Sequence, residues 1–182
     1  MTDFLIVVDM QRDFITGALG TAEAQAITPA VAARIARAKT EGTQVIFTLD
    51  THEEDYMTTQ EGRRLPVPHC IRGTEGWALD PQIAGQCARG MLSFEKPTFG
   101  SQRLSAYLSE QALLRGSAFG AGIAIELCGV CTDICVVSNA LLIKAALPEA
   151  ELSVNPALCA GVTPQSHEAA IKTMASCQID IL

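Results

Sequence analysis

The chain has 182 residues, the usual size of one domain with one substantial core, and we expect a single domain spanning residues 1–182. With 48% apolar residues, 18% charged residues and a net charge of −7, the composition predicts a globular chain and argues against nucleic acid as a partner. The apolar run Leu5–Val8 is too short for a signal peptide or a membrane span, and the seven cysteines are scattered, so we expect a cytoplasmic protein with reduced thiols and no membrane partner.

Short apolar runs rich in β-branched residues predict strands along the whole chain. In chain order these are Phe4–Val8, Gln44–Leu49, Met91–Phe94, the run Ile123–Ile125, Leu152–Val154 and Gln178–Leu182. The run Phe4–Val8 is continuous rather than alternating, which is typical of a strand that is buried on both faces of a sheet.

Helical periodicity and capping residues occupy the intervals between these strands. The first helix is predicted to open at Thr28-Pro29, with the threonine as its cap and the proline at its first position. The other predicted helices are Ser101–Leu114, one from Thr132 or Asp133 to about Leu147, and one from Thr163 to about Ser176. This alternation predicts an α/β fold: a doubly wound, mainly parallel sheet of about six strands with helices on both faces.

Four predicted strands end in a polar residue suited to chemistry: Asp9, Asp50, Lys96, and Cys135 just beyond its turn. One acid at a strand end would indicate only a turn, but ligands in open parallel sheets bind beyond the carboxyl ends of the strands. We therefore predict that these four residues share one site. Residues 51–89 form a long irregular connection, a type that is usually functional inside a compact domain.

Cys135 follows a buried strand and a glycine-containing turn, at the predicted start of a long helix. Unpaired backbone N–H groups and the helix dipole stabilise negative charge there, so we expect this thiol to favour the thiolate form. A buried core cysteine is the alternative. Cys128, Cys131 and Cys135 also allow an iron–sulfur or zinc thiolate site, although no fourth ligand has a suitable spacing.

Asp50, His52 and His69 are the candidate ligands of a divalent metal ion. An extended segment projects residues two apart to the same side, and one carboxylate with two imidazoles leaves open positions, as catalytic sites do. Glu61 is an additional candidate ligand. Zinc is the expected ion, with iron or manganese as alternatives, although such a set of residues also occurs by chance.

The base that activates Cys135 is then expected to be Asp9, because the remaining histidine, His167, lies in the first turn of the last helix and is expected to be exposed. Burial at the end of an apolar strand raises the pKa of a carboxylate toward the value that a general base needs. Lys96 would balance the charge of the carboxylate and the thiolate, the alternative being a solvated loop lysine.

The sequence resembles a known family, the isochorismatase-like cysteine hydrolases, and within it the metal-containing nicotinamidase branch. The matching segments are Val7–Phe14, Asp50–His52, Pro66–Gly76, Glu95-Lys96 and Gly129–Val136. They occur in the same order and at compatible spacing over nearly the whole chain, so the resemblance is specific at the level of the family.

The resemblance implies a catalytic triad and a metal site in an isochorismatase-like hydrolase fold. The implied residues are Asp9, Lys96 and Cys135 for the triad and Asp50, His52 and His69 for the metal, with Glu61 added in some members. It also implies a cis peptide bond before Cys131, and an oxyanion hole made by the backbone N–H groups of Cys131 and Cys135.

Two positions depart from the family pattern. Cys131 stands where members usually carry a small residue such as alanine, and Thr51 stands where many nicotinamidases carry tryptophan between the metal ligands. The aromatic wall of the ligand pocket is therefore expected to differ. Phe14 and Val130 are the predicted pocket residues, with Trp77 or Phe99 as further candidates for the aromatic wall.

The resemblance implies a metal-containing cysteine amidohydrolase that converts nicotinamide and water to nicotinic acid and ammonia through a cysteine thioester. The alternatives are hydrolysis of another small amide or ureido compound by the same mechanism, and a non-catalytic protein that binds thiols or metal. The expected partners are a small-molecule amide and further copies of the chain, because members of this family often form dimers or tetramers.

Overall fold

In the computed structural model, residues 2–87 and 91–182 are described, and these residues form one six-stranded sheet. The strands are β1 (Phe4–Val8), β2 (Gln44–Asp50), β3 (Leu92–Lys96), β4 (Ala124–Val130), β5 (Glu151–Ala160) and β6 (Asp180–Ile181). Their order is β3-β2-β1-β4-β5-β6, and every pairing between them is parallel. The predicted α/β class is confirmed.

Helices fill the connections between the strands. They are α1 (Arg12–Ile15), α2 (Ala22–Thr40), α3 (Gln60–Arg64), α4 (Pro81–Ala84), α5 (Gln102–Leu114), α6 (Val137–Ala146) and α7 (Pro164–Ser176). A 3₁₀ turn at Tyr56–Thr58 and a π-helical turn at Thr132–Val136 complete the set within the described ranges. The strand order runs one way from β1 to β3 and the other way from β3 to β6, and right-handed crossovers then place α1, α2 and α4 on one face of the sheet and α5–α7 on the other.

The predicted start of the first long helix is wrong. Helix α2 begins at Ala22, where the Thr21 side chain accepts a hydrogen bond from the backbone N–H of Ala24 at 3.0 Å, and Pro29 lies inside the helix. An internal proline removes one backbone hydrogen bond and costs about 3 kcal/mol. The helix continues through it because its apolar face, which includes Ile35, is buried against the sheet.

The predicted caps of α5 and α7 are confirmed, but neither Thr132 nor Asp133 caps the helix at Cys135, which begins after Cys131 as a π-helical turn without a side-chain cap. Ser101 accepts a hydrogen bond from the backbone of Leu104 at 3.1 Å, and Thr163 forms a capping box with Ser166 at the start of α7. The connection predicted over residues 51–89 contains only the short helices α3 and α4 and the 3₁₀ turn in its described part, and its residues 88 and 89 lie outside the described ranges. No helix in the described part of the chain has the length and apolar character needed to cross a membrane.

The strand order reverses between β1 and β4, which is where open α/β sheets bind ligands. Gly129 lies at this point with φ 118°, directly opposite Val8 in the pairing of the two strands. A Cβ atom at Gly129 would lie 2.1 Å from the backbone oxygen of Val8, so only glycine allows the two strands to approach here. The crevice between the carboxyl ends of β1 and β4 therefore depends on this glycine.

Candidate active site and metal centre

The ammonium group of Lys96 lies at the centre of a buried cluster at the carboxyl edge of the sheet. Its Nζ lies 2.6 Å from Asp9 Oδ2 and 3.2 Å from Asp50 Oδ1, and it donates a hydrogen bond to Cys135 Sγ at 3.4 Å. The exposed fraction of each of these four residues is at most 5%. The structure thus brings together the four strand-end residues that the sequence singles out.

Asp9 follows β1 with φ 48°, a left-handed conformation that is uncommon for a residue other than glycine. Its backbone N–H donates to the carbonyl of Thr48 at 3.2 Å, and the Thr48 hydroxyl donates to Asp9 Oδ1 at 2.6 Å. Burial raises the pKa of Asp9, and the charge of Lys96 opposes that rise. A carboxylate with a raised pKa and a fixed orientation is suited to accept a proton during catalysis.

The expected thiolate character of Cys135 is wrong for the free protein. Burial raises the pKa of the Cys135 thiol well above its ordinary 9.0, the Asp9 carboxylate raises it further, and Lys96 only partly opposes them. Desolvation and the neighbouring carboxylate outweigh the favourable start of the helix. The thiol therefore holds its proton until a base removes it, and Asp9, which contacts the same Lys96 ammonium group as the thiol does, is the base in position.

Burial opposes the positive charge of Lys96, yet its pKa lies well above 10.5 because Asp9, Cys135 and Asp50 all favour the charged form. Lys96 is therefore a permanent cation between two carboxylates and the thiol. This arrangement stabilises negative charge on the sulfur when it forms.

The four candidate metal ligands also converge. His52 Nε2 lies 3.2 Å and His69 Nε2 3.5 Å from Asp50 Oδ2, while Glu61 Oε1 lies 3.7 Å from His52 Nε2 and 3.9 Å from His69 Nε2. One ligand atom from each residue lies within 4.8 Å of all the others. Bonds of about 2.0–2.1 Å to a tetrahedral ion would separate ligand atoms by about 3.3–3.5 Å, so these residues fit a first-row divalent ion.

Hydrogen bonds and charges orient the ligands toward that centre. His69 Nδ1 contacts the carbonyl of Val67 at 2.9 Å, which leaves Nε2 directed at the group. Burial opposes ionisation of Asp50, but hydrogen bonds from His52 and His69 and the charge of Lys96 outweigh it and hold the pKa of Asp50 below its ordinary 3.8. A metal ion would therefore meet a carboxylate that is already ionised.

Gln11 and Asp13, which lie in the matching segment Val7–Phe14, bind the backbone of two other segments of the site. The buried Gln11 amide accepts from Asp50 N at 2.7 Å and donates to Asp50 O and to Trp77 O, both at 2.8 Å. Asp13 accepts from the backbone N–H of Cys70 at 2.8 Å. The segment that carries Asp9 therefore also holds the backbone beside two candidate metal ligands, Asp50 and His69. The sequence signal for Gln11 is a polar residue in an otherwise buried stretch.

Aromatic rings surround the imidazoles. The ring of Tyr56, which sequence reasoning missed, lies 4.7 Å from that of His52 and 5.1 Å from that of His69, and its hydroxyl donates to the carbonyl of Leu65 at 2.9 Å. Phe14 packs on His69 at 5.5 Å. Tyr56 lies in an irregular segment, where no periodicity marks a buried aromatic residue.

A cavity of about 820 Å³ opens beside His52, Glu61 and Lys96. Its apolar walls are Leu65, Pro97, Phe99 and Ile134. Phe14 and Val130, predicted to line the substrate pocket, lie outside these walls, with exposed fractions of 8% and 1%. Of the two further aromatic candidates Phe99 lines the cavity, whereas the Trp77 indole donates to the Thr51 hydroxyl at 2.9 Å behind it.

A family model described as the isochorismatase domain matches residues 3–182. The chain belongs to the isochorismatase family. It is 30% identical over 146 residues to the isochorismatase family protein PncA of Bacillus subtilis (strain 168), covering 78% of each chain.

Solved structures in this family share the whole fold. The nicotinamidase/pyrazinamidase PncA from Bacillus subtilis has a TM-score of 0.82 at 26% identity, with 100% of this chain and 99% of that chain covered. A pyrazinamidase of Pyrococcus horikoshii in complex with zinc has a TM-score of 0.77 at 26% identity, covering 98% and 97%. The isochorismatase-like fold and the relation to the nicotinamidase branch are therefore established for this chain.

The peptide bond between Val130 and Cys131 is cis in this isochorismatase-family chain, as the resemblance implies. His167 is half-buried rather than exposed, and its Nδ1 lies 2.8 Å from the hydroxyl of the buried Thr132. It therefore contacts the turn before Cys135 and lies outside the cluster around Lys96.

The thiolate-cluster alternative finds no support in the structure. Cys128 is fully buried on β4 and lies on the same face of the strand as Glu126. Glu126 Oε2 pairs with Arg34 Nη2 at 2.7 Å. In the described ranges, the only group of at least three metal-binding side chains within reach of one another is the one formed by Asp50, His52, Glu61 and His69.

Proposed function

We propose that this chain is a metal-dependent cysteine amidohydrolase and that nicotinamide is its leading candidate substrate. One observation carries the proposal: the Nζ atom of Lys96 contacts a base, a thiol and a metal-ligating carboxylate at once, in Asp9, Cys135 and Asp50. A vestigial site in a protein without activity would have no need to keep three such groups buried around one cation.

The family comparisons support the choice of substrate. The structural relatives at 26% identity carry the names nicotinamidase/pyrazinamidase and pyrazinamidase, and one of them was solved with zinc. Both names refer to carboxamides on nitrogen-containing rings, which a divalent ion can bind through the ring nitrogen. The two histidines and two carboxylates of this chain suit that role, because they are donors that zinc commonly accepts.

The proposed chemistry follows from the position of Asp9. As the sulfur of Cys135 adds to the amide carbon, Asp9 takes the thiol proton, and Lys96 stabilises the charge that passes between them. The backbone N–H groups of Cys131 and Cys135 would meet the oxyanion, an interaction commonly worth about 3–4 kcal/mol per donor. Asp9 then returns the proton to the departing ammonia and afterwards activates the water that hydrolyses the thioester.

Asp50, His52 and His69, with Glu61, would hold the divalent ion beside this cluster. When bound, the ion would supply a Lewis acid that fixes the ring of the substrate over the nucleophile. Zinc is the proposed ion, because the ligand set is rich in imidazole and one relative was solved with it. Metal analysis of the purified protein tests this assignment independently of activity.

The decisive experiment measures ammonia release from nicotinamide by the zinc-loaded protein, with Cys135→Ala as the matched variant. We expect turnover by the natural chain, none by the variant, and equal zinc content in both, because Cys135 is not a metal ligand. Turnover by the variant would refute the nucleophile, and no ammonia from any carboxamide would refute the function.

Another small amide or ureido compound is the second candidate substrate, and pyrazinamide is the first to compare because two relatives are named for it. The same ammonia assay across a panel of amides separates these candidates. The non-catalytic alternative predicts that the alkylation rate of Cys135 responds to pH like that of a free thiol. The proposed site predicts that this pH dependence changes when Asp9 is replaced.

A further inference from the structure

The wall of the 820 Å³ cavity carries four basic side chains, of which two are committed to ion pairs. Lys96 contacts Asp9 and Asp50, and Arg72 donates to Glu53 at 2.9 Å and to Glu95 at 2.5 Å. The Arg72 contacts involve two of the four acidic side chains on the wall, and Asp55 and Glu61 are the other two. The Arg72 contacts also fix the loop after His52 to the end of β3.

The other two basic groups are Arg64, at the end of α3, and Arg103, in the first turn of α5. Among the residues that the structure describes, neither guanidinium has a carboxylate within ion-pair distance or a hydrogen bond to a protein acceptor. Both are exposed, and they reach the same cavity from two elements far apart in sequence. In a chain with net charge −7, two arginines without a carboxylate partner on the wall of the cavity beside Lys96 are a specific feature rather than a general basic surface.

The cavity also has room for more than a pyridine ring. Its volume lies in the upper part of the about 300–1,000 Å³ range of cavities that bind drug-sized ligands. Leu65 and Phe99, with exposed fractions of 38% and 45%, give it an apolar lining. A ligand that filled it would combine an apolar body, an amide at the buried end, and a group that satisfies guanidinium donors.

We propose that Arg64 and Arg103 form an anion subsite, and that the best substrates of this enzyme are carboxamides that also carry a carboxylate. The inference rests on the proposed amidohydrolase function and adds the substrate class to it. Guanidinium groups bind carboxylates through paired, charge-assisted hydrogen bonds, which are stronger than bonds between neutral groups. The subsite would raise kcat/KM for charged amides through binding and through attraction of the approaching anion.

The test uses nicotinamides with a carboxylate at ring position 5, attached directly or through one or two methylene groups, so that the reach to the arginines varies. The methyl ester of each acid is the uncharged comparison of nearly the same shape. The zinc-loaded natural chain, the double variant Arg64→Ala/Arg103→Ala and the single variant Arg63→Ala are assayed by ammonia release. Arg63 is the matched control because it lies beside Arg64 on α3 but does not line the cavity.

We expect at least one acid of the series to exceed its ester in kcat/KM by about tenfold or more, the size of one charge-assisted hydrogen bond. The ratio should fall close to one in the double variant and in high salt, and should persist in Arg63→Ala. An acid-to-ester ratio near one throughout the series, or one that survives in the double variant, overturns the inference. Ammonia from nicotinamide is measured in parallel: if it is released while the acids are rejected, the subsite fails and the proposed function stands.

Discussion

Lys96→Met is the substitution that tests the catalytic cluster most directly, because methionine fills a similar space without the charge. At an effective dielectric constant of about 20, the separations of 2.6 Å to Asp9 and 3.2 Å to Asp50 correspond to about 6 and 5 kcal/mol of Coulomb attraction. Desolvation of the lysine offsets part of this. Removal of one partner from a buried ion pair costs about 3–5 kcal/mol, and we expect the free energy of unfolding at pH 7 to fall by that amount.

The loss in the free energy of unfolding caused by Lys96→Met should grow as the pH rises. Lys96 is the main group that lowers the pKa of Asp9, so in the variant that pKa rises further above its ordinary 3.8. A carboxyl group whose pKa is raised by folding contributes stability at pH values below 3.8, and this contribution is lost as the pH rises through the folded value. The difference in the free energy of unfolding between the variant and the natural chain should therefore be smaller near pH 4 than at pH 7. For the same reason the acidic limb of its residual kcat/KM should move to higher pH.

Urea unfolding of both chains at a series of pH values measures the first effect, and the pH profile of ammonia release measures the second. Lys172→Met is the control, since Lys172 is exposed on α7, and it should change the free energy of unfolding by less than about 0.5 kcal/mol. A Lys96→Met chain as stable as the control, or a deficit that stays constant with pH, would refute the charge balance described for this site.

Three other substitutions separate the parts of the site. Asp9→Asn should lower kcat by about 10²-fold or more while zinc content is unchanged, because it removes the proton acceptor; normal turnover would assign the base elsewhere. Gln11→Ala should weaken zinc binding by about 10–100-fold in a competition with a chelating dye, whereas Gln44→Ala, at an exposed glutamine, should not. Gly129→Ala should lower the free energy of unfolding by about 3 kcal/mol or more in urea, and an unchanged midpoint would contradict the close approach to Val8.

The ends of the strands could be predicted because each is marked locally by an apolar run followed by a polar residue. The run Phe4–Val8 is apolar at every position and all five residues are fully buried, so the next polar residue had to fall at the rim of the sheet. The same reasoning places Asp50 and Lys96, which are paired residues at the ends of β2 and β3. The ends of the apolar runs therefore predicted which polar residues lie at the rim of the sheet, without knowledge of the tertiary structure.

Features that depend on packing could not be predicted in this way. The start of the helix at Cys135 favoured a thiolate, but the pKa of a thiol is decided by what surrounds it, and a sequence does not show how deeply a side chain is buried. Pro29 could not be predicted as an internal residue of a helix for a similar reason. Its local effect is to break a helix, and only the burial of the α2 face shows why the helix continues. Tyr56 and the two cavity arginines come from irregular or exposed positions, where periodicity gives no signal.

The order of the strands explains why the candidate metal site and the thiol of Cys135 are physically linked. Strand β2 lies between β3 and β1, so the backbone of Asp50 lies between those of Lys96 and Asp9, and the Lys96 side chain reaches past it to contact Asp9. Cys135 follows β4, which is the neighbour of β1 on its other side. One oxygen of the Asp50 carboxylate contacts Lys96 and the other contacts the two imidazoles. Any change of charge at the histidines therefore acts on the lysine through a single carboxylate, and the lysine in turn contacts both the base and the sulfur. A sheet with another strand order could carry the same residues without that connection.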